Sequence, residues 1–395
     1  MALLNEIKLS RKPLAGFLVI GCAWATCFAQ MPMIKAGIGA SDAVLGAAIL
    51  IGSVGALAAM WLAPMANSLA GRWAMPFAAC LVGIGMLSIG AAPGVIAFTL
   101  GMILASAGSG VVDVLVNVRI SEIEEHTARK LMNLNHALYS FAYAGAAVTT
   151  GGLRELGWSP FEIFAVLGCV ILALAIFSLE ARQPKSILAD LPASEGLSFI
   201  FVTLAGLVVM VAFLMEASAE GWSALHLERT LGGGAAQGSM GPAILGLTMG
   251  IGRLMGHVVA HRISEMTLMV AACLLAAFGL VLAGIAPGLS VAYLGFGLAG
   301  LGVSVIAPLT LALVGRVVPP DARLAAISRV SVLGYGAFFL GPPLMGFTSE
   351  FFGLRAGFIL VAAIMVATAL LLLPALGRSA NAHPKRGNPV DRPQP

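Results

Sequence analysis

Long apolar runs recur along the chain and are separated by short polar or proline-containing joints. An α-helix rises about 1.5 Å per residue, so a run of about 20 apolar residues crosses the roughly 30 Å hydrocarbon core of a membrane. Twelve such runs predict spans at Pro13–Met33, Ala43–Pro64, Met75–Ala92, Val95–Ile120, Leu131–Leu153, Phe161–Leu179, Ser198–Ala219, Met240–His261, Met266–Ala286, Leu289–Val314, Ala325–Phe347 and Leu354–Leu376. The pattern predicts an all-α integral membrane protein with twelve transmembrane helices.

The composition supports a polytopic membrane protein. Hydrophobic residues make up 59% of the 395 residues and charged residues only 10%, whereas soluble domains carry roughly a quarter charged residues. The five cysteines lie in apolar stretches without short paired spacing, so neither a disulfide framework nor a zinc site is predicted. No phosphate-binding loop, catalytic-triad spacing or metal-ligand cluster is present in the sequence. We therefore expect no enzyme activity, no cofactor and no bound metal.

The distribution of basic residues predicts the orientation, because cytoplasmic loops retain Lys and Arg. If the N-terminus is inside, only four of the 22 basic residues fall outside: Lys35, Arg154, Arg229 and Arg355. This asymmetry explains the net charge of +4 without a nucleic-acid partner. We expect a multi-pass protein of the inner cell membrane with both termini in the cytoplasm.

The longest polar connection, Glu180–Gly196, divides the twelve spans into six and six. The two halves also resemble each other, since residues 105–108 and 299–302 match at a separation of 194 positions (105 to 299). Internal repeats of this kind are typical of secondary transporters. The predicted organisation is an N-terminal six-helix bundle at 1–180, a cytoplasmic linker at 181–197, a C-terminal six-helix bundle at 198–377 and a disordered cytoplasmic tail at 378–395.

The polar residue that most needs an explanation is Asp113, which follows eighteen residues without a charge (95 to 112). Ionisable groups inside a membrane are costly and usually functional. Asn117 lies one turn later, and His136 is predicted at a similar depth on the next helix, so we expect the three to form a proton-coupling site. The alternative is a structural acid that bonds a neighbouring helix or pairs with Arg253 or Arg329; His136 would then only satisfy Asn117 or a backbone carbonyl.

Polar side chains inside other spans predict a substrate cavity, because a buried hydroxyl needs a partner that a water-filled cavity can supply. The expected cavity residues are Gln30, Asn135, Tyr139, Tyr143, Glu216 and Tyr335. Glu220 is farther along the same helix as Glu216 and is equally explained by exposure to solvent. Basic residues near the inner ends of spans are expected to act in gating: Arg72, Arg253, Arg262 and Arg329. Arg253 and Arg329 could instead bind an anionic substrate or reach lipid headgroups.

Several motifs resemble the major facilitator superfamily over nearly the whole chain. The loop after the second span ends in Gly71-Arg72, with Ser68 where the superfamily carries an acid, and its second copy begins at Gly252-Arg253. The stretches 216–225 and 334–346 resemble an uncharacterised bacterial branch related to the fucose-proton symporters. The resemblance implies two pseudo-symmetric six-helix bundles around a central cavity.

The resemblance also implies a function. In the fucose-proton symporters an acid on helix four followed by an Asn belongs to the coupling site, and Asp113 with Asn117 matches that spacing; a second acid on helix one has no counterpart in 24–32. We expect proton-coupled transport of a small polar or amphipathic solute by a monomer that contacts lipid. The alternatives are drug or metabolite efflux by the same fold, a membrane receptor without transport, and an intramembrane enzyme using Asp113 and His136.

Overall fold

The computed structural model describes residues 2–179, 198–259, 263–319 and 322–382. The predicted linker at 181–197 and the gating candidate Arg262 lie outside the described residues, as does the predicted tail from residue 383 onward. Residues 378–381, predicted as part of the disordered tail, are helical.

The described chain forms α-helices that follow the predicted spans. In order they are α1 (Ala2–Ala29), α2 (Met31–Gly37), α3 (Asp42–Ala70), α4 (Ala74–Gly90), α5 (Val95–Thr127), α6 (Met132–Glu155), α7 (Pro160–Ser178), α8 (Phe199–Leu225), α9 (Ala235–Val259), α10 (Glu265–Ile285), α11 (Leu289–Val303), α12 (Ile306–Val317), α13 (Arg323–Tyr335), α14 (Ala337–Ala367) and α15 (Leu373–Asn381). A π-helical turn at His226–Thr230 continues α8, and a second at Thr368–Leu372 joins α14 to α15.

Nine stretches of the described chain are long and apolar enough to cross a membrane. The last of them, Ala325–Asn381, holds two spans, because Gly353 adopts a left-handed conformation (φ 81°) that breaks the helical path inside α14. The remaining two predicted spans are helices α6 and α9, which are not among these nine stretches. The twelve-helix fold is confirmed.

The internal repeat has a packing counterpart. In α4 and α5, Gly85 and Gly101 let the two backbones approach: a Cβ on Gly85 would lie 2.4 Å from the Ala105 nitrogen. In α10 and α11, Gly279 and Gly295 do the same, with a Cβ on Gly279 2.4 Å from the Ala299 nitrogen. Each pair is separated by the same 194 positions (85 to 279, 101 to 295). Small residues that allow close helix contact are therefore placed alike in the two halves.

The N-terminal half (α1–α7) and the C-terminal half (α8–α15) meet along two pairs of helices, α3 with α14 and α6 with α9. Gly46 on α3 lies against the carbonyl of Pro342 and the Cα of Gly346 on α14. On the other side of the interface, Gly246 on α9 lies against Tyr143 on α6. Each half thus presents a glycine to the other half, which is the arrangement expected of two pseudo-symmetric bundles.

Candidate functional site

Asp113 lies on α5 in the interface between the halves, where it is half-buried. The amide of Asn117, one turn away, donates to the Asp113 Oδ1 at 3.1 Å and to its backbone carbonyl at 2.8 Å. The hydroxyl of Tyr335 on α13 donates to the Asp113 Oδ2 at 2.9 Å. Since α5 and α13 belong to different halves, this carboxylate joins the two halves by a hydrogen bond.

His136 on α6 lies elsewhere in the interface. Its ring packs against Phe17 with 4.7 Å between ring centroids, and its backbone carbonyl accepts a hydrogen bond from Arg253 at 3.4 Å. The oxygens of Asp113 are bonded by Tyr335 and Asn117 instead. The structure therefore brings Asp113 and Asn117 together as predicted, while the expected contact between Asp113 and His136 is not among the described hydrogen bonds.

Arg253 on α9 is the centre of a second polar group. Its guanidinium donates to the Ser140 hydroxyl on α6 at 2.6 Å and to the Glu216 carboxylate on α8 at 3.4 Å. The Arg253 and Glu216 side chains are 14% and 20% exposed, although both lie well inside apolar helices. Such partial exposure indicates an accessible space between the halves. Arg253 pairs with Glu216, so the alternative in which it pairs with Asp113 is wrong.

Two tyrosines on α6 approach the same space. The rings of Tyr139 and Tyr143 are 6.3 Å apart, and the hydroxyl of Tyr143 faces the Glu220 carboxylate on α8. Glu220 is half-buried and interacts electrostatically with Glu216 and Arg253. The interpretation of Glu220 as a solvated residue at the end of its helix is therefore wrong, and Glu220 belongs to the interface together with Glu216.

Two predicted cavity residues are placed differently from the expectation. Asn135 is fully buried, and its amide donates to the Ser10 hydroxyl on α1 at 3.0 Å, so it holds α6 against α1 rather than lining a cavity. Gln30 is also fully buried, directly after α1, and donates to the carbonyl of Thr26 at 3.2 Å. Both side chains were assigned to the cavity because their polarity in an apolar run did not distinguish helix packing from an accessible surface.

The predicted gating arginines fall into different environments. Arg72 is exposed on the 3₁₀ turn Gly71–Trp73, with its guanidinium 5.8 Å from the centre of the Trp73 ring. Arg329 occupies an exposed position on α13. Arg253 makes the contacts between the halves given above.

Ion pairs that sequence analysis did not anticipate join the halves at one end of the bundle, here called the latch end. Arg154 at the end of α6 bonds both oxygens of Glu228, at 2.7 and 3.0 Å, in the turn after α8. The same guanidinium donates to the carbonyls of Ala29 at 2.6 Å and Ala235 at 3.3 Å. The side chains of Arg154 and Glu228 are 3% and 16% exposed, so this pair is largely removed from solvent.

A second group at the latch end is centred on Asp42, the first residue of α3. Its carboxylate accepts from Arg229 at 2.9 Å, from Lys35 at 3.0 Å and from the hydroxyl of Ser349. The carboxylate of Glu350 accepts from the Asp42 backbone nitrogen at 2.8 Å. Glu350 thereby binds the N-terminus of α3, where unpaired N–H groups and the helix dipole favour a negative charge.

One sequence signal points to the latch end. Lys35, Arg154, Arg229 and Arg355 are the four basic residues that the predicted orientation leaves outside. In the structure three of them pair with carboxylates at the latch end, and Arg355 donates to the carbonyls of Gly284 and Ala286 at 3.0 Å each. A basic residue on the predicted outer side runs against the charge asymmetry, and such a residue therefore indicates a specific ion pair or hydrogen bond at that position.

The fold and the side chains at the interface between the halves indicate the class of protein. Two related bundles of membrane-crossing helices, with ionisable side chains held between them, are the architecture of secondary transporters. Comparison with known proteins shows which proteins the chain resembles. A model of the Major Facilitator Superfamily matches residues 205–394. An uncharacterised MFS-type transporter of Yersinia pestis is 27% identical over 364 residues, which cover 89% of this chain and 92% of the relative.

Solved structures show the same fold. A D-xylose-proton symporter superposes with a TM-score of 0.77 at 14% identity, over 93% of this chain and 97% of the symporter. The Escherichia coli fucose:proton symporter superposes with a TM-score of 0.62 at 16% identity, over 94% and 99% of the two chains. Residues 205–394 match the model of this superfamily, and the resemblance inferred from the motifs is confirmed.

Proposed function

We propose that the chain is a secondary active transporter that moves a small polar or amphipathic solute by alternating access, coupled to protons. It works as a monomer in the inner cell membrane, with bundles at 1–180 and 198–377. Both termini, the linker at 181–197 and the tail at 378–395 lie in the cytoplasm, so that the latch end faces outward.

The observation that carries this proposal is the environment of Asp113. Its carboxylate is bonded by Asn117 from one half and by Tyr335 from the other. A carboxylate in a dry cavity takes up a proton more easily than one in water, and hydration reverses this. Separation of the halves would remove the Tyr335 hydrogen bond and admit water. Proton uptake and release at Asp113 would then follow the movement of the halves.

The ion pairs support alternating access. At the latch end, Arg154–Glu228 and Arg229–Asp42 join the two halves. At the opposite end, the ion pairs Arg129–Glu6 and Arg316–Glu265 each join two segments of the same half. A transporter that is closed on one side needs contacts between the halves on that side, and these contacts must break when it opens there.

The test is the substitution Asp113→Asn, whose neutral amide mimics the protonated carboxyl group. A thermal-shift screen of polar and amphipathic solutes on the purified protein first supplies a solute for proteoliposome assays. We expect Asp113→Asn to lose accumulation driven by a pH gradient and to retain counterflow, which requires no net proton movement. Glu125→Gln, which removes an exposed carboxylate on the same helix, serves as the control.

Accumulation by Asp113→Asn at the wild-type rate would show that Asp113 is structural and that coupling, if present, uses another residue. A solute that binds the wild-type protein and shows neither accumulation nor counterflow would instead favour a receptor.

A further inference from the structure

The acids of the interface outnumber its bases around Tyr139. The Tyr139 hydroxyl is within electrostatic range of three carboxylates, those of Glu220, Glu216 and Asp113, and of one guanidinium, that of Arg253. Arg253 makes its ion pair with Glu216, and Asp113 is bonded by neutral donors. Among the described residues, Glu220 therefore has no ion-pair partner of its own. An acid in this position requires a counterion or a proton, because an isolated charge away from bulk water is costly.

A second observation concerns the hydroxyl next to Glu220. The Tyr143 side chain is 1% exposed, and its hydroxyl makes no hydrogen bond with any described residue. That hydroxyl faces the Glu220 carboxylate. Buried hydroxyl groups normally have a partner, and one without a partner is an open position for a ligand atom. The pair can hold a group that donates to the carboxylate and to the phenol oxygen, as an ammonium ion does with its several N–H bonds.

Aromatic rings lie on the Tyr143 side of this position, since Trp24 and Phe28 pack against the buried cluster that contains Tyr143. Phe28 on α1 also lies 3.9 Å from the point that a Cβ on Gly221, the residue after Glu220, would occupy. Trp24, one turn earlier, stacks on Phe28 with 5.6 Å between the rings and donates to the Ser109 hydroxyl at 3.0 Å. Aromatic faces attract cations as well as apolar groups. The surroundings of Tyr143 thus combine the negative charge of Glu220 with flat apolar surfaces.

We propose that Glu220 and Tyr143 bind the ammonium group of an organic cation whose apolar body lies against Phe28 and Trp24. This assignment rests on the proposed transport function and names the charge class of the substrate. Glu220 is eight residues before Glu228, which lies in the π-helical turn that continues α8, so the two are about 12 Å apart along the helix. The cation would therefore bind about two helical turns beneath the closed latch end.

The experiment uses the purified full-length protein and three probes that share one body: diphenylpropylamine, diphenylpropanol and diphenylpropanoate. Binding is measured at neutral pH by quenching of tryptophan fluorescence and by thermal shift. We expect the protonated amine to bind at least about tenfold more tightly than the alcohol, and the carboxylate to bind more weakly than either, as charge complementarity requires. Glu220→Gln should lower the affinity for the amine to that for the alcohol. Tyr143→Phe should weaken amine binding by a smaller factor.

The alcohol provides the folding control, since its affinity should not depend on the charge at residue 220. Glu125→Gln, an exposed carboxylate on α5, should bind all three probes like the wild type. Equal affinity for the three probes, a preference for the carboxylate, or an amine preference that survives Glu220→Gln would overturn the cation site and leave the transporter proposal standing. Selective amine binding without counterflow of the labelled amine in proteoliposomes would support the site and overturn the transport function.

Discussion

The pair Arg154–Glu228 should help to set the equilibrium between the closed and open forms of the latch end. The perturbation is Glu228→Gln, which keeps the shape of the side chain and removes its charge. The carboxylate accepts two hydrogen bonds from the guanidinium, at 2.7 and 3.0 Å, across the two halves. An amide has one oxygen and can accept from Arg154 only through that oxygen.

The expected loss of free energy follows from the burial of the Arg154–Glu228 pair and from the hydrogen bonds that Arg154 keeps. Breaking a buried ion pair costs about 3 to 5 kcal/mol when the other charge is left uncompensated. Arg154 is 3% exposed but keeps its hydrogen bonds to the carbonyls of Ala29 and Ala235. A hydrogen bond to a charged group contributes about 1.5 to 3 kcal/mol, so we take the loss as about 2 kcal/mol. Only the closed form makes this pair, so its population relative to the open form should fall roughly 30-fold.

The assay measures distances between spin labels at the latch end by double electron–electron resonance. Labels at Leu156, in the turn after α6, and Ser290, at the start of α11, report on different halves from exposed positions. The exposed native Cys169 is first replaced by Ser. We expect Glu228→Gln to increase the population at longer distances. Asp42→Asn, which removes the charge facing Arg229 and Lys35, should act in the same direction.

The matched control is Glu162→Gln. Its carboxylate bonds the nitrogen and hydroxyl of Ser159 in the capping box of α7, within one half. This substitution should leave the distances unchanged even though it removes an acid near the same end. The reasoning would be refuted if the distance distributions of both Glu228→Gln and Asp42→Asn coincided with that of the wild type.

Two further predictions concern the interface. Tyr335→Phe removes the 2.9 Å hydrogen bond to Asp113. It should slow accumulation driven by a pH gradient several-fold, while counterflow persists. An unchanged rate of accumulation would show that Tyr335 takes no part in proton coupling. A Cβ on Gly46 would lie 2.5 Å from the Pro342 carbonyl oxygen, so Gly46→Val should destabilise the closed form by about 1 to 3 kcal/mol and lengthen the spin-label distances. Gly145→Val is its control, because nothing lies within 4 Å of a Cβ there; equal distances in the two variants would contradict the packing argument.

The apolar runs predicted the helices because hydrocarbon thickness sets their minimum length. Their ends were less predictable. The first span was expected from Pro13, whereas α1 begins at Ala2, and α5 continues past the expected Ile120 to Thr127. Helical hydrogen bonding continues into water wherever the local sequence permits it, so apolarity marks the membrane part of a helix and not its termini.

The local part of the candidate site was also predictable. Asp113 and Asn117 are four residues apart, and this spacing places them on one helical face. Tyr335 was assigned to the cavity, but its bond to Asp113 joins positions 222 residues apart. No local pattern relates two such positions, because the packing of the halves alone brings them together. The position of Glu220 in the interface was missed for the same reason, since the Tyr143 hydroxyl that it faces lies on a helix of the other half.

The residues that face each other across the interface follow two helices from opposite halves. On α6, Arg154 and Tyr143 are eleven residues apart (154 to 143), close to three turns of 3.6 residues, so they share a face. Glu228 and Glu220, their counterparts after and within α8, are eight residues apart (228 to 220). Opening of the latch end would separate Glu228 from Arg154 and, along the same two helices, Glu220 from Tyr143. A cation held between Glu220 and Tyr143 would therefore bind the closed form more tightly than the open form, and a ligand shifts an equilibrium only through such a difference in affinity. Binding of such a cation and closure of the latch would thus stabilise the same state through contacts along the same two helices.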